Sequence, residues 1–408
     1  MKKLYLILCA ACLAGCAPTQ TPPLVYSVEN TAVDCPPVAF PSVSELPSVP
    51  LLPDPFAWAD GSGRVEKFSE WPCRRAEIIA ELEHYELGEK PGRPANLTAT
   101  YADSVLTVTM IEAGDTVILS SRVVMPAGDG PHPVFIGINM PTGSLPRNLF
   151  TDFIQIPFVH NQVSLHSGPR DPQKSVYRMY PQLLTSGNYT AWSWGISRLI
   201  DGLELVQEQM EADISRIAIS GCSYAGKMAL FGGALDERIA LTIVQESGGG
   251  GINAWRVSDT LGEVEKIANT NYDWFLPALR DNFNGQADKL PYDHHELIAL
   301  IAPRPVLILG NPDYAWLADE SGYISTMAAL QVWEAMGVPD RLGFDFSPDH
   351  PHCMTTESQQ TAITAFVDKF FRGKPDVDTT IRTAPLFTDT DYHSWISGWE
   401  GHTLKMNK

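Results

Sequence analysis

Arg216-Ile217-Ala218-Ile219-Ser220-Gly221-Cys222-Ser223-Tyr224-Ala225-Gly226-Lys227 is the stretch that decides the fold. Its first half is a short apolar run and its second half is small-residue-rich and helix-compatible. Between them stands a serine preceded by Gly-x. A strand running through a tight turn into a helix lifts such a serine above the carboxyl edge of a sheet. The pattern is G-x-S-x-x-G and not G-x-S-x-G, so the flanking strand and helix carry more of the argument than the spacing. Outward from this stretch, further apolar runs at 133–138, 241–244 and 305–309 read as buried strands. Residues 75–87, 192–210, 227–235, 324–336 and 359–371 space apolar side chains at three and four, as helices do. Buried strands alternating with helices predict an α/β fold: a doubly wound, mostly parallel sheet with helices on both faces, a three-layer sandwich. Alternating residues in 97–109 and 116–124 predict a pair of strands ahead of it.

A serine hydroxyl is a weak nucleophile and needs a neighbouring base. In strand-turn-helix hydrolases the acid and then the histidine follow the serine. Glu246 stands just past the 241–244 run, at a strand end, before Ser247 and four glycines. His352 lies between the Gly343-Phe344-Asp345-Phe346 run and the last helix. His350 is its rival, and Asp313 and Asp319 are alternative acids. Two dipeptides favour His352: Cys222-Ser223 and His352-Cys353 place a cysteine beside the nucleophile and beside the base. An oxyanion needs donors. The backbone N–H of Tyr224 is one, and the loop after Ile138, near Asn139 and Met140, is expected to supply another.

The N-terminus has a basic start, Lys2-Lys3, an apolar run, and then Leu13-Ala14-Gly15-Cys16. Residues 1–16 read as an export signal ending in a lipobox, with Cys16 the lipid attachment site. This predicts a membrane-anchored lipoprotein, periplasmic or at the cell surface. Residues 17–50, rich in Pro, Ser and Thr, read as a spacer, and 51–408 as a single catalytic domain whose tail, with Trp395 and Trp399, packs back on it. Excluding Cys9, Cys12 and Cys16 leaves Cys35, Cys73, Cys222 and Cys353, which allow three pairings. Pairing Cys222 with Cys353 and Cys35 with Cys73 is the reading adopted, with free thiols as the alternative. A net charge of −19 argues against nucleic acid as a partner.

Many stretches together resemble the glucuronoyl esterases, carbohydrate esterase family fifteen. They include Leu52-Pro53-Asp54-Pro55-Phe56, Cys73-Arg74-Arg75, Tyr85-Glu86-Leu87-Gly88, Trp192 through Asp201 and Gly221-Cys222-Ser223. Glu246-Ser247-Gly248, Trp255-Arg256, Asp293-His294-His295, Ala302-Pro303-Arg304, Trp316 and His352-Cys353 follow in order. The resemblance implies an α/β-hydrolase fold and cofactor-free, metal-free hydrolysis of an ester of (4-O-methyl-)glucuronic acid on xylan with a lignin alcohol. It implies Ser223 as nucleophile, His352 as base, Glu246 as acid, and the family's two bridges at Cys222–Cys353 and Cys35–Cys73; that the chain is a monomer is an expectation of its own, since the sequence does not fix the oligomeric state. Lys227, Trp316 and Glu263 fall at sugar-binding positions. Tyr224 departs from the arginine that many members carry after the nucleophile. Asp293, His294 and His295 look like metal ligands in sequence and are read instead as loop-bridging residues. The competing readings are another carbohydrate esterase or carboxylesterase, such as an acetyl xylan esterase, and a silent polysaccharide-binding lipoprotein. The intact Ser, Glu and His weigh against the second.

Overall fold

The computed structural model describes residues 21–32 and 34–406. The residues read as an export signal, Cys16 among them, lie outside the described residues. Three strands, β1 (Asn96–Ala102), β2 (Val105–Glu112) and β3 (Asp115–Arg122), form a small antiparallel sheet. Sequence alternation predicts two strands here. Asp103 and Ser104, at φ 50° and 60°, turn the chain inside the first of them and make it a hairpin.

The main sheet draws on β4 (His132–Ile138), β6 (Ile154–Phe158), β7 (Ala212–Cys222), β8 (Leu241–Gln245), β9 (Val306–Leu309), β10 (Leu342–Asp345) and β11 (Arg382–Thr383), with the short β5 (Pro141–Ser144) between β4 and β6 in the chain. Its spatial order is β11-β10-β9-β8-β7-β4-β6, and every pairing is parallel. Its strands read as continuous apolar runs because both faces are covered. Val134, Ile136, Ile217, Ile219, Val244, Val306 and Ile308 point into one core. Their neighbours Phe135, Ala218, Ile243, Leu307 and Leu309 point into the other, with Ile363 and Phe366 of the last helix. β6 has no strong sequence signal because Pro157 interrupts it, and a proline is tolerated on an edge strand.

The helices are α1 (Trp71–Leu82), α2 (Ser175–Met179), α3 (Asn188–Met210), α4 (Tyr224–Leu235), α5 (Trp255–Thr260), α6 (Pro277–Phe283), α7 (His294–Ala299), α8 (Asp319–Ala335) and α9 (Glu357–Phe370). The long α3 is buried along its first four turns because it lies between the two sheets. A Cβ on its Gly202 would lie 2.2 Å from Val108 Cγ2 in β2. α4 starts directly after Ser223, three residues earlier than its apolar periodicity suggests. α8 likewise starts before its apolar pattern, with Asp319 and Glu320 suited to a helix N-terminus. The tail returns as expected: β11 joins the sheet and Trp399 is buried.

The spacer expectation fails for the described part of 17–50. Arg341 donates to the carbonyls of Pro22 and Pro23. Glu29 pairs with Lys90 (2.6 Å) and with the buried Arg198. Leu46 is in the core, and Cys35 is bonded to Cys73 at the start of α1. The composition lacks helix and strand formers, but its carbonyls and one carboxylate meet buried cations, so the segment is a strap.

Two close approaches set the turn at Ser223. A Cβ on Gly221 would sit 2.3 Å from the carbonyl oxygen of Ala225, and one on Gly226 2.3 Å from that of Gln245 in β8. The second explains G-x-S-x-x-G, because the later glycine is where α4 meets the neighbouring strand. Gly226→Ala is expected to destabilise the protein by about 1–3 kcal/mol in urea denaturation and to lower activity with it. An unchanged midpoint would show that α4 has room to move off β8.

Candidate active site

Ser223 occupies the single residue between β7 and α4, at φ 60° and ψ −127°, a conformation that L-residues avoid. Its N–H donates to the Gln245 carbonyl at 3.1 Å, which ties the turn to β8. Cys222 is bonded to Cys353 across a sequence separation of 131, with Cα atoms 5.6 Å apart. The two sulfurs and a ring nitrogen of His352 lie within 4.8 Å of one another. Both sulfurs are consumed by the bridge, so this group is not a metal site.

Glu246 follows β8 at φ 45°, and its side chain is fully enclosed. One carboxylate oxygen lies 2.5 Å from His352 Nδ1, and the other accepts the Cys353 N–H at 2.9 Å. The His352 N–H donates to the Tyr314 hydroxyl at 2.8 Å. The side-chain amide of Gln245 donates to the Met354 carbonyl at 2.8 Å. With Nδ1–H donated to Glu246, Nε2 of His352 is left with a lone pair for a proton. Among the described residues no hydrogen bond joins Ser223 Oγ to His352, a contact that often closes only on a bound substrate.

The rival residues have other partners. His350 Nδ1 is 3.9 Å from Glu246, and the ring is held by Asn311 and the Ser347 carbonyl. Asp313 accepts the Asp349 N–H, and Asp319 accepts the Asn311 N–H at 2.5 Å. Burial pushes the Asp319 carboxyl up to about 7; the Asn311 bond opposes this and the nearby Glu246 charge adds to it.

Lys227, one turn into α4, is buried. Its Nζ lies 2.8 Å from Glu265 Oε2 and 5.2 Å from the centre of the Trp274 ring. The carboxylate beside Lys227 is Glu265; Glu263, expected at a sugar-binding position, is exposed. The two alternate about Val264, which points into the protein, and Thr270 fixes Glu265 from the other side at 2.8 Å. Trp316 is 49% exposed at the rim, and its carbonyl accepts the Glu265 N–H. Asn139 donates its own N–H to the Phe158 carbonyl, so that group is not the second oxyanion donor expected from this loop. Its side chain instead reaches Tyr224 OH at 2.9 Å. Tyr314 carries no sequence signal for its contact with His352.

Asp293, His294 and His295 bridge loops by hydrogen bonds. Asp293 accepts the N–H groups of Trp255 (2.7 Å) and Arg256 (3.1 Å). His294 lies 2.6 Å from the Gly251 carbonyl, in the glycine loop after Glu246, and 2.9 Å from Glu86. Burial disfavours its imidazolium, but the Glu86 charge and hydrogen bond outweigh this and leave its pKa raised. His295 takes the Pro53 carbonyl.

The sequence profile of "Glucuronyl esterase, fungi" matches residues 108–337, over half of the chain. The 4-O-methyl-glucuronoyl methylesterase of Phanerochaete carnosa is 37% identical over 372 residues, covering 86% of this chain and 89% of that protein. The chain belongs to the glucuronoyl esterase family. The glucuronoyl esterase catalytic domain from Hypocrea jecorina superposes with a TM-score of 0.81 at 34% identity, over 90% of this chain and 100% of that one. A serine-to-alanine mutant of the glucuronoyl esterase from Sporotrichum thermophile, in complex with methyl 4-O-methyl-β-D-glucopyranuronate, gives 0.79 at 32% identity. It covers 86% of this chain and 94% of that one. The α/β-hydrolase fold inferred for this family accords with the seven-stranded sheet.

Replacing Cys222 and Cys353 together by serine is expected to cost about 3–5 kcal/mol of stability and to lower kcat. The Cys35/Cys73 pair should cost stability alone. Equal kcat in both double variants would mean that the bridge does not position the site. A second expectation concerns pH. The Asp319 carboxyl is raised above its unfolded value, so its contribution is present at low pH and is lost as pH rises through about 7. The stability of Asp319→Asn relative to wild type should therefore increase between pH 5 and pH 8. A difference independent of pH would contradict a neutral, buried carboxyl.

Proposed function

We propose that this chain is an exported serine esterase that hydrolyses the ester between (4-O-methyl-)glucuronic acid of glucuronoxylan and an alcohol of lignin. The observation that carries the reading is the Glu246–His352 contact held beside Ser223 by the Cys222–Cys353 bridge, in a chain of this family. Ser223 Oγ attacks the ester carbonyl while His352 Nε2 takes its proton, with Glu246 orienting the ring and balancing its charge. The same proton then goes to the leaving alcohol. His352 next activates water, which attacks the acyl-enzyme, releases the uronate and restores Ser223.

Lys227 and Glu265, paired with each other, the lysine over Trp274 and the carboxylate on Thr270, suit the hydroxyl groups of a sugar. Trp316 offers a half-exposed indole for its apolar face. Met354 and Tyr314 flank His352 and are exposed, and so is Met140 beside Asn139. These exposed apolar groups suit a bulky, weakly polar alcohol better than methanol. The two disulfides support export. Attachment to a membrane through a lipid on Cys16 rests on the sequence around that residue alone.

The test is benzyl glucuronate, its galacturonate epimer and acetylated xylan, each given to wild type and Ser223→Ala. Benzyl glucuronate should be cleaved, and Ser223→Ala should lower kcat by roughly 10⁴-fold or more. Acetate release without uronate-ester cleavage would transfer the chain to the acetyl esterases. Equal rates in both proteins would leave only a binding role.

A further inference from the structure

Tyr224 stands directly after the nucleophile, and its ring packs in an aromatic nest. The His166 ring lies edge-on at 4.5 Å, the His160 ring at 5.7 Å, and Trp274 stacks at 6.2 Å. Its hydroxyl accepts the Asn139 side-chain amide at 2.9 Å. The other end of that amide, Oδ1, is 2.6 Å from His160 Nδ1. Burial pushes the His160 pKa down to about 4, with the His166 charge adding to it, so the ring is neutral in ordinary conditions. A neutral imidazole with its proton on Nδ1 donates to Asn139 Oδ1 and turns the amide so that Nδ2 faces Tyr224. A hydroxyl that accepts from Asn139 keeps its own proton for another partner. Among the described residues that proton has no acceptor.

Asn139 is held at φ 64°, where glycine would fit at the lowest conformational cost. Keeping an asparagine at this position retains the amide that orients Tyr224. The residue stands at the carboxyl end of β4, next to β7, on the edge of the sheet where Ser223 is presented.

We propose that the Tyr224 hydroxyl is a second oxyanion donor of this esterase, and that Asn139, fixed by His160, is the positioning residue that aims its proton at the acyl oxygen. This inference rests on the esterase reading above. No proton is transferred: the hydroxyl donates a hydrogen bond that strengthens as charge develops on the oxygen, and the bond persists in the tetrahedral intermediate. Such a donor acts on kcat more than on KM.

Wild type, Ser223→Ala, Tyr224→Phe, Asn139→Asp, Asn139→Gly and Tyr224→Phe/Asn139→Gly are to be compared on benzyl glucuronate, with thermal melts for each. Tyr224→Phe should lower kcat by about 10²–10³-fold, the loss seen for one oxyanion donor, with KM changed little. Asn139→Asp should do the same, because its carboxylate would accept the tyrosine proton and withdraw it from the site. Asn139→Gly keeps the positive φ, and the double variant should be no slower than Tyr224→Phe alone. Wild-type kcat in Tyr224→Phe or Asn139→Asp, with Ser223→Ala inactive, would overturn the inference and leave the esterase reading intact. A Tyr224→Phe loss confined to KM would overturn it too. Wild type no faster than Ser223→Ala would overturn both.

Discussion

A carboxylate enclosed by protein is costly unless its oxygens are hydrogen-bonded, and Glu246 meets that requirement with the two residues that complete the site. One oxygen takes the His352 ring and the other takes the Cys353 N–H. The loop carrying His352 is thus fixed to the end of β8 by the carboxylate that contacts its ring. The Cys222–Cys353 bridge fixes the same loop to the end of β7, one residue from Ser223. Ser223, Glu246 and His352 stand at the ends of adjacent parallel strands and on one loop, which the Glu246 contacts and the bridge tie to both strands. The His352 N–H on Tyr314 and the Met354 carbonyl on Gln245 hold the backbone on either side of the Cys353 links.

The same principle works one layer out, where buried charges hold the elements that carry the site. α4 ends with carbonyls that have no partner within the helix. Arg304 meets them, donating to Gly233 at 2.7 Å and to Asp236 and Ile239 just beyond at 3.0 and 2.8 Å, and Arg75 donates to Ala234. These cations also complement the negative end of the helix whose other end presents Ser223. On the opposite flank, Glu86 accepts from Tyr292 and Trp255 and faces His294, which in turn holds the glycine loop after Glu246. Arg75, Arg304 and His294 are therefore supports for the elements that carry Ser223 and Glu246.

This division explains what the sequence made legible. The parallel sheet, its two covered faces and the order serine, glutamate, histidine follow from apolar runs and strand-end positions, which are local patterns. The hairpin inside 97–109 and the edge strand β6 are hidden because turn residues at positive φ and a proline contradict the apolar pattern that surrounds them. Glu263 and Glu265 alternate about Val264, and only the fold decides which of them faces Lys227. Tyr314 and Asn139 act through contacts made across the fold, and no spacing rule encodes such contacts. The strap at 21–50 has the composition of a linker, and its order comes from cations supplied by distant parts of the chain.

Conformational strain follows the same geography. Among the described residues, four of the ten non-glycine residues at positive φ are Asn139, Ser223, Glu246 and Cys353, all at the site. Positions of this kind cost of order 1–3 kcal/mol each and persist only where the surroundings over-determine them. Each has a tether of its own: the Asn139 N–H on Phe158, the Ser223 N–H on Gln245, the Glu246 N–H on Leu309 at 2.7 Å, and Cys353 on both its disulfide and Glu246. The tethers run to β6, β8 and β9, and from Cys353 to the end of β7 and to Glu246. The rigidity of the parallel sheet is thereby transmitted to four residues that could not hold these conformations in a flexible loop. A relaxed backbone at any one of them would turn its side chain or N–H away from the others, so the strain and the assembled site depend on each other.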